Sequence, residues 1–137
     1  MAAQSRKLKL VDLALDGVSF ESQLRQIMLA NNTDDGDKMW VADGSELREE
    51  TDPDYALELT FLADWRADGI SQWLWDNDGR TVPWSAALHP DITAEHVVFG
   101  GNVYVKAPSV GGEIRTTEQT EVTLQVQGKP DQTRPGA

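Results

Sequence analysis

The sequence predicts a mainly β domain, a β-sandwich or distorted barrel with one short flanking α-helix and a long acidic loop. Three observations predict it. Apolar residues recur with period two in segment after segment, turn signals separate those segments, and one stretch alone keeps clear i, i+3, i+4 spacing. A chain of 137 residues can bury roughly two-thirds of its unfolded surface, enough for one core without a metal or disulfide. Residues 1–130 are read as that single domain, and 131–137 (DQTRPGA) as a polar C-terminal tail.

The elements follow in order. Leu8, Leu10, Leu13 and Leu15 mark an N-terminal strand ending at the Asp16-Gly17 turn, with a phase slip at Val11-Asp12 of the kind a bulge makes. Residues Phe20 to Asn32 are ambiguous: Phe20, Leu24, Ile27 and Met28 fit a helical stripe, which periodicity slightly favours, while Gln23 to Ala30 could pair as a strand. Between Asn31 and Asp54, nine acids stand against Lys38 and Arg48, so this stretch holds −7 of the net charge of −11. It reads as a solvated, self-repelling loop interrupted once, by the apolar strand Lys38 to Ala42 before an Asp43-Gly44 turn.

Tyr55, Leu57, Leu59 and Phe61 alternate with Ala56, Glu58, Thr60 and Leu62, a strand with one buried face. After Asp68 as N-cap, Ile70, Trp73 and Leu74 form a helical stripe of about two turns, stopped by Asp78-Gly79. So short a helix must lie on a sheet. Val82, Trp84, Ala86 and Leu88 resume period two. So do Val97 and Phe99, then Val103 and Val105, with Gly100-Gly101 between them as a turn or bulge. Val122, Leu124 and Val126 make the last strand, ended by Gly128-Lys129-Pro130.

Chemistry is sparse. With no cysteine, disulfides and thiolate metal sites are excluded. His89 and His96 lack the spacing that puts two imidazoles on one helical face, and Asp76-Asn77-Asp78-Gly79 lacks the other ligands of a calcium loop. Gly17-Val18-Ser19-Phe20 runs into Glu21 instead of completing a nucleophile elbow, so no catalytic motif, metal or cofactor is expected. A sequence pI near 4.4 argues against gripping nucleic acid. No apolar run approaches the roughly 20 residues of a membrane helix, and Met1 to Lys9 lacks an apolar signal region, so the chain is expected to stay in the cytoplasm that makes it. Of five Trp, Trp73 and Trp84 fall on apolar faces, whereas Trp75 points away and could meet a partner.

Leu57-Glu58-Leu59-Thr60-Phe61, Asp64-Trp65 and Leu74-Trp75 with Gly79 come in an order that resembles the centre of the major tail tube proteins of tailed bacteriophages. Gly101-Asn102-Val103-Tyr104-Val105, Pro108, Gly111-Gly112-Glu113 and Val122-Thr123-Leu124-Gln125-Val126 extend the likeness to Pro130. The resemblance implies a structural virion protein of a long, non-contractile, siphovirus-type tail. Six copies would form a ring, and rings would stack into a tube that conducts the genome during ejection. It implies a virion location after assembly in the host cytoplasm, with tape-measure, tail-tip and tail-terminator proteins as partners and only transient contact with passing DNA. It also favours the strand over the helix for Gln23 to Ala30.

On that reading Glu58, Thr60, Glu121, Thr123 and Gln125, opposite the core faces of their strands, are candidates to line the lumen. The loop residues Asp34, Asp35, Asp37, Trp40, Glu46, Arg48, Glu49 and Glu50 are candidates for contact with a neighbouring ring or subunit. Trp75, Arg80, Gly111, Gly112 and Arg115 are candidate interface positions. The loop is more acidic than such loops often are and needs basic partners, for which Arg25, Arg66, Arg80 and Arg115 are available. Two alternatives share the features: a tube protein of a contractile tail or related injection machine, and a carbohydrate-binding sandwich using Trp40, Trp65 or Trp75.

Overall fold

The structure, a computed structural model, describes residues 7–20 and 22–135. Met1 to Arg6, most of the segment read as lacking an apolar signal region, and the last two residues of the tail lie outside that range. The architecture is mainly β with one short helix, an open sheet folded on itself as a distorted sandwich.

The chain enters through β1 (Val11–Leu15), which turns at Asp16-Gly17 into β2 (Val18–Ser19). Both turn residues have positive φ, 51° and 79°, the geometry a two-residue hairpin needs to match strand twist. Leu13 and Leu15 are buried, while Leu8 and Leu10 lie before the strand and are half exposed. The expected bulge at Val11-Asp12 is thus absent; the phase changes because the strand begins only at Val11.

β3 (Leu24–Asn31) is a strand, against its weak helical period. Its pairing with β6 (Tyr55–Leu62) supplies long-range contacts that an isolated helix would lack, with an irregularity between Leu24 and Gln26. β7 (Thr81–Leu88), β8 (Val97–Tyr104) and β9 (Gln119–Val126) complete the main strands. Gly100-Gly101 neither turns nor bulges: β8 pairs with β7 in unbroken register from Thr81↔Tyr104 to Leu88↔Val97. The expected polar tail contributes β10 (Asp131–Thr133), antiparallel to β8, so part of it belongs to the sheet.

The strand order is β2-β1-β7-β8-β9-β6-β3. Two layers result, β2-β1-β7-β8 and β9-β6-β3, joined at the single pair Val103↔Val126 and a Gln127 N–H to Asn102 carbonyl bond of 2.9 Å. Leu13, Leu15, Val82, Trp84 and Val103 of one layer face Leu57, Leu59, Phe61, Leu124 and Val126 of the other. Away from the seam the layers part around an apolar cavity of about 370 Å³ walled by Ile27, Leu29, Tyr55, Trp84 and Phe99.

The helix α1 (Ile70–Asp76) adds Ile70 and Leu74 to the core between the layers. Its N-cap is Gly69, not Asp68. A Cβ at position 69 would strike the Asp64 carbonyl and carboxylate, so the residue fits because it has none. The orphan helix donors are met from elsewhere in the chain: Gln23 Oε1 accepts from Ile70 N at 2.7 Å, and the Asp64 carbonyl accepts from Gln72 N at 3.4 Å. Ile70, Ser71 and Leu74 are buried. Trp73, expected in the core, is only partly buried and packs edge-on against Phe20 at 5.6 Å, because the short helix turns it toward the rim.

Candidate assembly surfaces

Three surfaces collect the residues singled out by sequence. The first is the outer face of β9-β6-β3. Register places Glu58 opposite Thr123 and Thr60 opposite Glu121, with Gln125 beside Ala56. Met28 and Gln26 of β3 continue these rows. All five candidate lumen residues therefore share one sheet face, and Glu58, Glu121, Thr123 and Gln125 are exposed. Ala56 is fully buried although it lies in the polar phase, its small side chain sheltered between Gln125 and Ala30 in the rows. Among the described residues both outer strands keep open hydrogen-bonding edges: β3 pairs only with β6, and β9 meets β8 only at Val126.

The second surface is the acidic excursion. The expected loop with one strand is a hairpin with two: β4 (Lys38–Trp40) and β5 (Glu46–Arg48) pair with each other and, among the described residues, with no other strand. The mostly polar Glu46–Arg48 segment forms a strand because it pairs across the turn with KMW. Asn32 N–H to the Asp54 carbonyl (2.7 Å) and Glu49 N–H to the Asp37 carbonyl (3.0 Å) close the base. At the tip Gly44 takes φ 86° and Asp43 accepts from the Ser45 backbone and hydroxyl at 2.9 and 2.5 Å, which holds the Asp43 carboxyl below its ordinary pKa.

Register makes the hairpin two-faced. Lys38, Trp40, Glu46 and Arg48 share one face, where the Lys38 ammonium lies 4.9 Å from the Trp40 ring and 3.4 Å from Glu46. Met39 and Leu47 stand opposite each other on the other face, with Val41 next along the strand. These three are 42%, 51% and 39% exposed, an apolar face without cover. Asp37 and Glu49 fall on the same side toward the base, and Asp34, Asp35 and Glu50 are exposed there.

The third surface lies at the helix corner. Trp65 and Trp75 meet edge to face, centroids 6.4 Å apart at 69°, and line an open apolar recess with Val110, Gly111 and Glu118. Trp75 and Val110 are exposed, and Trp65 Nε1 donates to Glu118 at 3.4 Å. Two rings at that angle present an edge and a face instead of one flat stacking platform. Gly112 and Arg115 lie in the same exposed loop, Arg115 at φ 70°.

No protein-family model matches this chain, and no curated protein matches it significantly.

The four arginines proposed as partners for the acidic loop differ in availability. Arg66 clamps Asp64 with two side-chain bonds of 2.9 and 2.7 Å, which lowers the Asp64 pKa and raises its own. Arg25 donates to Gln119, and Arg80 donates to Asn77 with Asp16 3.9 Å away. Arg115 has no such partner among the described residues. The structure brings together the five sheet residues, and separately Trp75, Gly111 and the Arg115 loop; Arg80 belongs to neither group. Sequence reasoning missed Met39, Val41 and Leu47, whose signal was their alternation with Lys38 and Trp40. Among the described residues no cluster of three or more His, Asp or Glu could hold a metal ion.

Proposed function

We propose that this chain is the major subunit of a bacteriophage tail tube, forming six-fold rings that stack around a DNA-conducting lumen. The observation that carries the reading is a three-stranded sheet with one polar, acidic face and an open edge on each outer strand. Such a sheet can continue from copy to copy, the β3 edge of one meeting the β9 edge of the next, and a heterologous contact of this kind closes as a ring. The residue order from Tyr55 to Pro130 supports the same reading through its resemblance to tail tube proteins.

The charge then serves passage. Duplex DNA carries one negative charge per roughly 1.7 Å of axis, so a basic wall repeated along a tube would multiply sticking sites. Glu58 and Glu121 stand among neutral Thr and Gln side chains, and the cation that reaches this face, Arg25, is bonded to Gln119. Salt screens their repulsion over about 8 to 10 Å, which confines the effect to DNA near the wall.

Negative-stain imaging of the concentrated protein tests the proposal. Rings or tubes with a central hole are expected; a monomer at every concentration, also with tail-tip and tape-measure proteins present, overturns it.

A further inference from the structure

We infer that the cavity between the two layers is a binding site for an uncharged, mostly apolar molecule of about 10 to 15 heavy atoms, whose one hydrogen-bond acceptor meets the indole N–H of Trp84. The site lies inside a single subunit and stands apart from the tube reading.

The alternation of the strands builds the chamber. Ile27, Leu29 and Leu57 come from β3 and β6, and Trp84, Ala86 and Phe99 from β7 and β8; between them lies a volume of about 370 Å³. An engineered cavity of about 150 Å³ with such walls takes benzene, so this one suits roughly twice as many carbons. Among the described residues no charged side chain lines it. A carboxylate or ammonium drawn inside would lose its hydration without gaining a partner.

One polar group interrupts the apolar wall. Trp84 is 4% exposed, and its Nε1 finds no acceptor among the described residues. Buried indole N–H groups ordinarily have a partner, because a donor left unpaired away from water is costly. Register sets Gly101 opposite Trp84, and a Cβ there would stand 3.6 Å from Nε1 and 3.9 Å from the Pro130 Cα. The glycine thus leaves open the space beside the N–H, on the side of Pro130. That proline lines a second recess with Lys129, Asp131 and Gln132, and this recess shares Leu29, Tyr55 and Phe99 with the chamber. The result is an apolar chamber with a polar mouth and a donor beside it. Lys129 and Asp131 offset each other at the mouth, so it favours neither sign of charge. A molecule seated here touches both layers away from the β8–β9 seam, and ties together what the backbone leaves apart.

Calorimetric titration and thermal melting of the full chain test the site with three probes on one carbon skeleton. Butyrophenone carries one ketone oxygen, butylbenzene carries no acceptor, and 4-phenylbutyrate is charged at pH 7. Butyrophenone is expected to bind saturably and to raise Tm as its concentration rises, and 4-phenylbutyrate to bind at least about tenfold more weakly. Ala86→Leu fills the chamber and should abolish binding of both uncharged probes. Leu29→Phe fills it from the other layer and replaces the first variant if that one does not melt cooperatively. Trp84→Phe keeps a ring and removes the N–H, so butyrophenone should weaken about fivefold to tenfold, the scale of one hydrogen bond, while butylbenzene stays within about twofold.

Butyrophenone that does not bind, or that binds the filled variants as well as wild type, overturns the site. Equal weakening of butyrophenone and butylbenzene in Trp84→Phe overturns the pairing with the indole. Binding of 4-phenylbutyrate as tight as that of the ketone overturns the uncharged class.

Discussion

Truncation along the helix α1 gives a graded test of how this corner of the fold is held. Leu74 is fully buried, so Leu74→Ala loses the whole transfer energy of the side chain and leaves a cavity that the sandwich closes only in part, about 3 kcal/mol. Trp73 is partly buried, and its edge contact with Phe20 is worth about 1 kcal/mol beyond area, so Trp73→Ala should cost about 2 kcal/mol. Trp75 is 55% exposed and touches Trp65 at the rim, so Trp75→Ala should cost under about 1 kcal/mol. Urea unfolding of dilute protein reads these values directly. With a slope of about 2 kcal/mol per molar, the Leu74 variant should melt about 1.5 M below wild type and the Trp75 variant within about 0.5 M of it. Dilution matters because self-association would add its own concentration-dependent stability. A Trp75→Ala shift equal to that of Leu74→Ala would refute the assignment of the two faces.

Three further outcomes are expected. Glu58→Lys/Glu121→Lys should still assemble but retain duplex DNA at low salt and release it as salt rises, measured by co-sedimentation; no retention would mean these residues do not face DNA. Removing residues 44–52 should leave the unfolding free energy within about 0.5 kcal/mol of wild type, since the Asn32–Asp54 bond at the hairpin base survives, yet tubes should not form. Asp64, whose pKa is lowered by Arg66, contributes stability that is complete above its ordinary value of 3.8 and lost as pH falls through the lowered one. Wild type and Asp64→Asn should therefore differ in urea midpoint at pH 7 and converge near about pH 2, and a gap that persists in acid would assign the difference to packing.

Much of this was legible in the residues because period two is a strong signal when one face is buried. Leu57, Leu59 and Phe61, and Val122, Leu124 and Val126, were readable as core, and the same alternation put Glu58 and Thr123 outside. The helix stop at Asp78-Gly79 was readable too, since Asp78 accepts from Ala107 N and Gly79 takes φ 83°. What misled were features settled by distant partners. Asp68 looks like an N-cap, but the work is shared by Gln23 and Asp64, 47 and 6 residues from Ile70 in the chain. β3 carries a helical stripe that only its pairing with β6 overrides. Gly100-Gly101 looks like a break, yet both glycines lie in register opposite Ser85 and Trp84. The hairpin hid behind its charge, because composition averages over 24 residues what alternation distributes between two faces.

The seam between the layers has a mechanical meaning. Within each layer the backbone ladders are long: eight pairs join β6 to β9 and eight join β7 to β8. Between layers, among the described residues, the pair Val103↔Val126 and the Gln127–Asn102 bond beside it carry the ladder, and side-chain packing supplies the rest. Ladders fail by unzipping, whereas packed faces slide by small steps. A bending load on this molecule is therefore taken up as sliding of one layer over the other about the β8–β9 corner, with the hydrogen-bonded ladders intact. In the tube proposed above, such sliding would let each subunit bend and recover without refolding.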